Sequence, residues 1–457
     1  MNRPSQDEIL GLLSHAWANE PTELSFKTIS HWVAEHHAQA NRYLDAVGTH
    51  GSPLYALDTS QLQQRAAQFC EAFQRQIPTS VRAYYAVKSN HHPLIIKTLL
   101  SCGLGLDVSS GQELELALRL GAKDIIFSGP GKTTEELALA VSQPHRVTVL
   151  MDSFSELERL QNQARRQGVV VKTGIRLTTD PRGLWRKFGI PLSHLGAFVH
   201  KASVCSHISL KGIQFHTSWN LTSQAQVSFI ERLGETLRQL SHEWVRQLEF
   251  IDIGGGYWPE AGEWLQAAGT TAGAVEKLLS PHTATTEPRF YLPGTPIETF
   301  AQELGHAIEE HLCTLVDVTI CLEPGRWLCH DAMHLLMTVV DCKAPDLVIT
   351  DAGTNAIGWE RFETDYFPII NLTSPGLHEH RCDVYGSLCT PHDVLGYSYW
   401  GERIQAGDVL LIPSQGAYTY SLRQDFIKAL PITIDLAKPK HHIDNVTNIP
   451  LWQRKSK

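Results

Sequence analysis

Between residues 54 and 322 the chain alternates short apolar runs with amphipathic stretches, and this alternation restricts its fold more than any other feature. Eight runs stand out: 81–87, 104–108, 125–128, 147–150, 169–177, 211–216, 248–253 and 318–322. Segments such as 60–76 and 111–120 lie between them, with apolar residues spaced three and four apart as a helix face requires. Parallel strands need a crossover, usually a helix, and eight strand–helix repeats predict an α/β fold, a (β/α)8 TIM barrel. In such a barrel the chemistry sits at the carboxyl ends of the strands.

The reactive residues fall there. Lys88, Ser109, Ser110, Arg176, His216, Gly254 and Glu323 each lie within a few residues of the end of a run. Lys88 closes an apolar stretch and opens a polar turn. A lysine in partly apolar surroundings sheds its proton readily and attacks aldehydes, so the chain is expected to be an enzyme. Gly254, Gly255 and Gly256 follow the seventh run, and their backbone N–H groups, with no Cβ in the way, let a phosphate approach closely. Taken singly these signals are weak. A triple glycine also makes a flexible turn, Glu323-Pro324 an ordinary one, and His216 is one of 23 histidines.

Beyond Arg326 the runs 334–340, 347–350, 408–412 and 432–435 are β-like, with turn residues between them, and predict a second, β-rich domain. Before residue 50, Ile9, Leu12, Leu13, Ile29, Trp32 and Val33 recur at helical spacing. The expected organisation is a helical extension over 1–50, a barrel over 51–325 and a β-rich domain over 326–457, with 260–296 as a long barrel insertion able to act as a lid. A length of 457 residues suits two domains. A net charge of −9 argues against a nucleic-acid partner. No apolar run approaches the ~18 residues that cross a membrane, and the polar start lacks a signal-peptide core, so the expected location is cytoplasmic. Nine cysteines without Cys-x-x-Cys spacing point to reduced thiols rather than disulfides or a metal site.

Five motifs in order carry a resemblance. They are Tyr85-Ala86-Val87-Lys88-Ser89-Asn90, His216 closing the run from Lys211, the triple glycine, Glu323-Pro324-Gly325-Arg326, and a late pair, Cys389 to Asp393 with Gly416-Ala417-Tyr418. Together they resemble the fold-type III pyridoxal-phosphate decarboxylases, which include ornithine, arginine and diaminopimelate decarboxylases. The resemblance implies an alanine-racemase-type barrel with pyridoxal 5'-phosphate on Lys88, Glu323 against its ring nitrogen and His216 stacked on its ring. It implies phosphate contacts from Gly254, Gly255, Gly256, Gly325, Arg326 and Tyr418, and places Asp107 and Arg176 near the cofactor. Cys389 would come from a partner subunit and return a proton to Cα, which implies a homodimer with shared active sites. Asp351, Arg361 and Thr390 are the expected substrate contacts.

Two departures stand out. Relatives follow the cysteine with an acid that reads the substrate's distal charged group, whereas this chain has Thr390. A free distal ammonium would lose its carboxylate, so the distal amine is expected to be masked or absent. The Cys389-Thr390-Pro391 form is similar to the branch acting on conjugated amino acids, including citryl-amino acids of citrate-type siderophore assembly, with ornithine, diaminopropionate or serine as the amino acid. The alternatives are a free diaminopimelate, ornithine, lysine or arginine substrate, a racemase or epimerase on the same fold, or a non-catalytic regulatory homologue. The second departure is Thr217-Ser218-Trp219 after His216, where many relatives have a small residue, glycine and a phosphate-binding serine.

Overall fold

In a computed structural model describing residues 5–18, 21–279, 288–358 and 364–438, the chain divides into two compact units. Among the described residues, one gathers Thr59–Glu260 and Thr295–His330, and the other gathers those of Met1–Asp58, Ala261–Gly294 and Asp331–Asp444.

The second of these is built on a sheet ordered Leu347–Thr350, Glu379–Tyr385, Val394–Trp400, Ile370–Asn371, Val409–Ile412, Met333–Ala344, Leu54–Leu57, Ile432–Asp435. Leu347–Thr350 also pairs with Met333–Ala344, so six of the strands close on themselves. Leu54–Leu57 is wholly buried, antiparallel to Met333–Ala344 and parallel to Ile432–Asp435. It therefore belongs to this sheet, and the barrel unit begins at Thr59 rather than at residue 51. The N-terminal helices Phe26–His37 and Ala40–His50 are not a free extension. Ile29, Val33, Tyr43 and Ala46 share an apolar core with Leu336, Leu411 and Trp400 of the sheet. The segment expected to be a barrel lid joins the same unit through a three-stranded sheet of Thr22–Glu23, Phe290–Leu292 and Glu263–Leu265. Strands of two or three residues carry too little periodicity to be read in advance.

The other unit is the barrel. Its strands are β1 (Val81–Ala86), β2 (Gly105–Val108), β3 (Ile125–Phe127), β4 (Val147–Met151), β5 (Val171–Leu177), β6 (Ile208–Phe215), β7 (Phe250–Asp252) and β8 (Thr319–Leu322). All pair in parallel, and β8 closes onto β1. Crossover helices start at side-chain caps: Ser110 accepts from the Glu113 N–H, Ser153 from the Glu156 N–H, and Thr133 with Glu136 forms a capping box.

A two-residue period carries each strand from apolar filling to chemistry. Tyr84, Ile126, Leu150, Phe250 and Cys321 form one buried cluster. Gly105 and Gly212 make room for it, since a Cβ at either would collide with the Tyr84 or Phe250 ring. Two residues further along come Ala86, Asp107, Gln214, Asp252 and Glu323, and two further again Lys88, Ser109, His216, Gly254 and Gly325.

Lys132, after β3, is wholly buried and donates to the carbonyls of Gly129 (2.7 Å) and Leu150 (2.7 Å) and to Glu156 Oε1 (2.8 Å). All three ammonium protons are thereby satisfied, tying the turns after β3 and β4 together. Removing one member of such a pair strands a buried charge. Lys132→Ala should lower unfolding free energy by about 3–5 kcal/mol in urea titrations, and a loss below about 1 kcal/mol would mean that Glu156 finds water or another cation.

Candidate active site

Lys88 owes its position to the way β1 ends. The strand stops at Ala86, whose N–H donates to the Pro324 carbonyl (3.0 Å), and one 3-10 turn, Val87–Ser89, presents the lysine half-buried. Tyr85 donates its hydroxyl to the Asn90 carbonyl (2.9 Å), and Asn90 Oδ1 accepts from the His92 N–H (3.0 Å), so the turn is held on both sides. A Cβ at Gly325 would collide with Ser89 Oγ, which explains glycine there.

Beneath the lysine lie three buried acids. Glu323 Oε1 accepts from Gln214 Nε2 (3.2 Å), and its Oε2 is 3.3 Å from His216 Nδ1. Asp107 accepts from Ser128 Oγ (2.6 Å) and Asp252 from the Gly254 N–H (2.8 Å), each through one oxygen. Burial raises the Asp107 carboxyl to about 7, helped by the charge of Glu323 and opposed by Lys88. Burial, with the same Glu323 charge, pushes Asp252 well above the carboxylate range. Burial alone would raise Glu323 too, but its polar neighbours, with Lys88 and Arg176 as the charged ones, outweigh it and hold it ionised. The ring of His216 is pushed down to about 4 by burial and by Lys88. Since the Gly255 N–H donates to Nδ1 (3.1 Å), that atom is an acceptor and the neutral ring keeps its proton on Nε2. The support of Glu323 therefore comes from Gln214, Lys88 and Arg176 rather than from an imidazolium pair. One charged and two protonated acids is the consistent state. Sequence reasoning passed over Asp252 and Gln214, although their place two residues before Gly254 and His216 was a usable signal.

The triple glycine is a packing necessity as well as a donor site. Gly254 (φ 70°) and Gly256 (φ 84°) take left-handed backbone, and a Cβ at Gly255 would strike the Glu323 carbonyl. Gly254 and Gly255 spend their N–H groups within the chain, while that of Gly256 has no partner among the described residues. Arg176, buried at the end of β5, lies over the Phe188 ring (4.5 Å) and 4.0 Å from Asp152 Oδ1. Ser89 Oγ, Asp107 Oδ2, Arg176 Nε, Gln214 Oε1, Asp252 Oδ2 and Trp258 Nε1 are buried without a hydrogen-bond partner. Buried polar atoms are rarely left so. Gathered around an amine, they fit a polar, phosphorylated aldehyde.

The remaining predicted residues lie in the β-rich unit. Cys389 is exposed in the turn between Glu379–Tyr385 and Val394–Trp400, with Thr390 beside it half-buried. Tyr418 is half-buried in left-handed backbone (φ 68°) ahead of the short helix Thr419–Leu422. Asp351, expected to touch substrate, instead accepts from the Thr338 N–H (2.8 Å) and the Ser52 hydroxyl, so both its oxygens serve the sheet. Arg361 lies outside the described residues.

A parallel barrel with a lysine at the end of β1, a buried acid at the end of the neighbouring β8 and a glycine-rich turn after β7 defines a pyridoxal-phosphate enzyme. Residues 60–330 match the family described as pyridoxal-dependent decarboxylase, pyridoxal binding domain, and the chain belongs to it. It is 26% identical over 404 residues to diaminopimelate decarboxylase of Aquifex aeolicus (83% of this chain, 84% of the relative). It is 25% identical over 399 residues to L-glutamyl-[BtrI acyl-carrier protein] decarboxylase of Niallia circulans (81% and 86%). Among solved structures it matches lysine/ornithine decarboxylase of Vibrio vulnificus with a TM-score of 0.68 at 21% identity, covering 87% of this chain and 99% of that one. The protein is thus a pyridoxal-phosphate-dependent amino-acid decarboxylase. No helix among the described residues is long and apolar enough to cross a membrane.

Between about pH 4 and about 7 the folded chain without cofactor holds the Asp107 proton that the unfolded chain has released, so stability falls as pH rises through this window. Asp107→Asn should flatten that fall in thermal unfolding of the cofactor-free protein. An unchanged slope would mean that Asp107 is ionised in the fold.

Proposed function

We propose that this enzyme removes the α-carboxylate of an amino acid whose distal amine is masked by an acyl group or absent, a citryl conjugate of ornithine, diaminopropionate or serine in citrate-type siderophore assembly. The observation that carries this reading is the Cys389 turn. Thr390 stands where the resemblance expects an acid, and the turn's own acid is already committed. Asp393, 1% exposed, accepts from the Thr354 N–H (2.6 Å) and hydroxyl (2.9 Å) and from the Leu388 N–H (2.6 Å). A free ammonium would find no available carboxylate in this turn. The Niallia circulans relative, named for a glutamyl group on a carrier protein, supports a conjugated substrate. A second reading, a free diamino acid, is favoured by relatives named diaminopimelate decarboxylase.

When bound, pyridoxal phosphate draws off the electron pair left on Cα as carbon dioxide departs. Lys88 is the residue that would hold the cofactor's aldehyde carbon and release it to a substrate amine. Glu323, oriented by Gln214, is the one charged acid beneath the lysine and would keep a proton on a ring nitrogen there, while Asp107 and Asp252 stay neutral so that no second charge competes. Neutral His216 would supply the ring face for the cofactor to rest on. Cys389 returns a proton to Cα, serving the second copy of a cytoplasmic homodimer.

Mass spectrometry of products tests the substrate, with citryl conjugates of ornithine, diaminopropionate and serine set beside free diaminopimelate, ornithine, lysine and arginine. Loss of carbon dioxide from a conjugate alone is the expected result, and turnover of a free amino acid alone would overturn the reading. Cys389→Ala should leave the cofactor's visible absorbance intact and lower kcat by about 10²–10⁴-fold, the usual weight of a positioned proton donor. Unchanged kinetics would remove Cys389 from the mechanism.

A further inference from the structure

The resemblance puts a phosphate-binding serine where this chain has Trp219, which deprives the turn after β6 of a hydroxyl donor. Trp219 sits at φ 54°, a backbone region that bulky residues seldom occupy and that is strained for them. Its surroundings hold it there. The Asn220 N–H donates to the Gly256 carbonyl (3.0 Å), Asn220 Nδ2 to Thr217 Oγ1 (2.8 Å) and the Gly255 carbonyl (2.9 Å), and the Trp258 N–H to the Asn220 carbonyl (3.3 Å). The turns after β6 and β7 are thereby laced together, and the two indoles meet with ring centroids 6.0 Å apart and planes at 31°.

Trp258 is the buried member of the pair, only 7% exposed, and its Nε1 has no hydrogen-bond partner. An indole N–H can only donate. Two residues earlier, the Gly256 N–H is likewise without a partner among the described residues. The guanidinium carbon of Arg326 lies 4.2 Å from the centroid of the Trp258 ring. Two uncommitted donors and a cation, with no acceptor assigned to either donor, are what a phosphate dianion requires.

We propose that the Trp258 indole N–H replaces the lost serine hydroxyl as a donor to the cofactor phosphate, and that Trp219, occupying the serine's own position, pins that indole in place. The exchange at one position removes a donor and fixes another. It makes Trp258 a cofactor-positioning residue of this chain whichever amino acid is decarboxylated.

The test compares retention of pyridoxal phosphate and of pyridoxal, which lacks the phosphate, by equilibrium dialysis of the full chain. Trp258→Phe keeps an aromatic ring and deletes the donor. Its Kd for pyridoxal phosphate should rise about 10- to 100-fold, the scale of a hydrogen bond to a charged group, with pyridoxal unaffected. Equal weakening of both ligands, or of neither, would overturn the proposal. Adding Trp219→Ser to that variant restores the hydroxyl and should recover part of the phosphate-dependent affinity, and no recovery would refute the replacement. In the unmutated, 15N-tryptophan-labelled chain, one indole N–H resonance should move downfield when pyridoxal phosphate takes the place of pyridoxal. Indole spectra that are the same with both ligands would overturn the proposal without any variant having to fold.

Discussion

One charge in a dry place organises the barrel. Glu323 is 2% exposed, and an isolated carboxylate so buried would ordinarily take up a proton. It stays ionised because Gln214 donates to it and because Lys88 and Arg176 lie close enough to act on it. Its charge then acts on its neighbours, pushing Asp107 and Asp252 toward their neutral forms. Three acids that would repel one another as anions become a graded set with a single negative member. A ring nitrogen that must remain protonated needs one fixed anion rather than three competing ones.

The stacking that brings these groups together was partly legible in advance. All eight barrel strands fall within the apolar runs, to within a few residues at either end, because a buried parallel strand is a continuous apolar run bounded by turns. The same reasoning placed Lys88, His216, Gly254 and Glu323 at the barrel mouth. It failed where pairing rather than pattern decides. Leu54–Leu57 falls inside the range expected for the barrel domain, yet it is completed only by partners more than 270 residues later, Met333–Ala344 and Ile432–Asp435. The segment 261–294 was drawn into the β-rich unit by strands of three residues. Asp351 has the chemistry of a site residue and the hydrogen bonds of a structural one, a distinction that resides in the Thr338 N–H of the adjoining strand and in Ser52, far from it in sequence. Asp252 and Gln214 are not marked by the end of a run, since they lie one period before Gly254 and His216.

The two departures from the family differ in kind. Thr390 is a simple loss: the turn keeps its shape, since Asp393 still ties Leu388 and Thr354 together, but no available carboxylate remains there. Such a change leaves the support beneath it undisturbed, as expected of residues displayed on turns over a rigid frame. Trp219 is an exchange, because a large side chain in left-handed backbone cannot be tolerated unless its surroundings hold it. Here Asn220 and Trp258 do so, and both belong to turns at the barrel mouth.

The two changes therefore bear on different parts of the chemistry. Trp219 and Trp258 lie among the groups suited to a phosphate, a part of the cofactor that does not react, so a new donor there can keep affinity while leaving the acids under Lys88 untouched. Cys389 and Thr390 lie in the β-rich unit, whereas the lysine and the buried acids all lie within the barrel strands and the turns that end them. The choice of amino acid can consequently drift with the turns of the second unit while the bond that breaks stays the same, which is how one frame comes to serve several substrates.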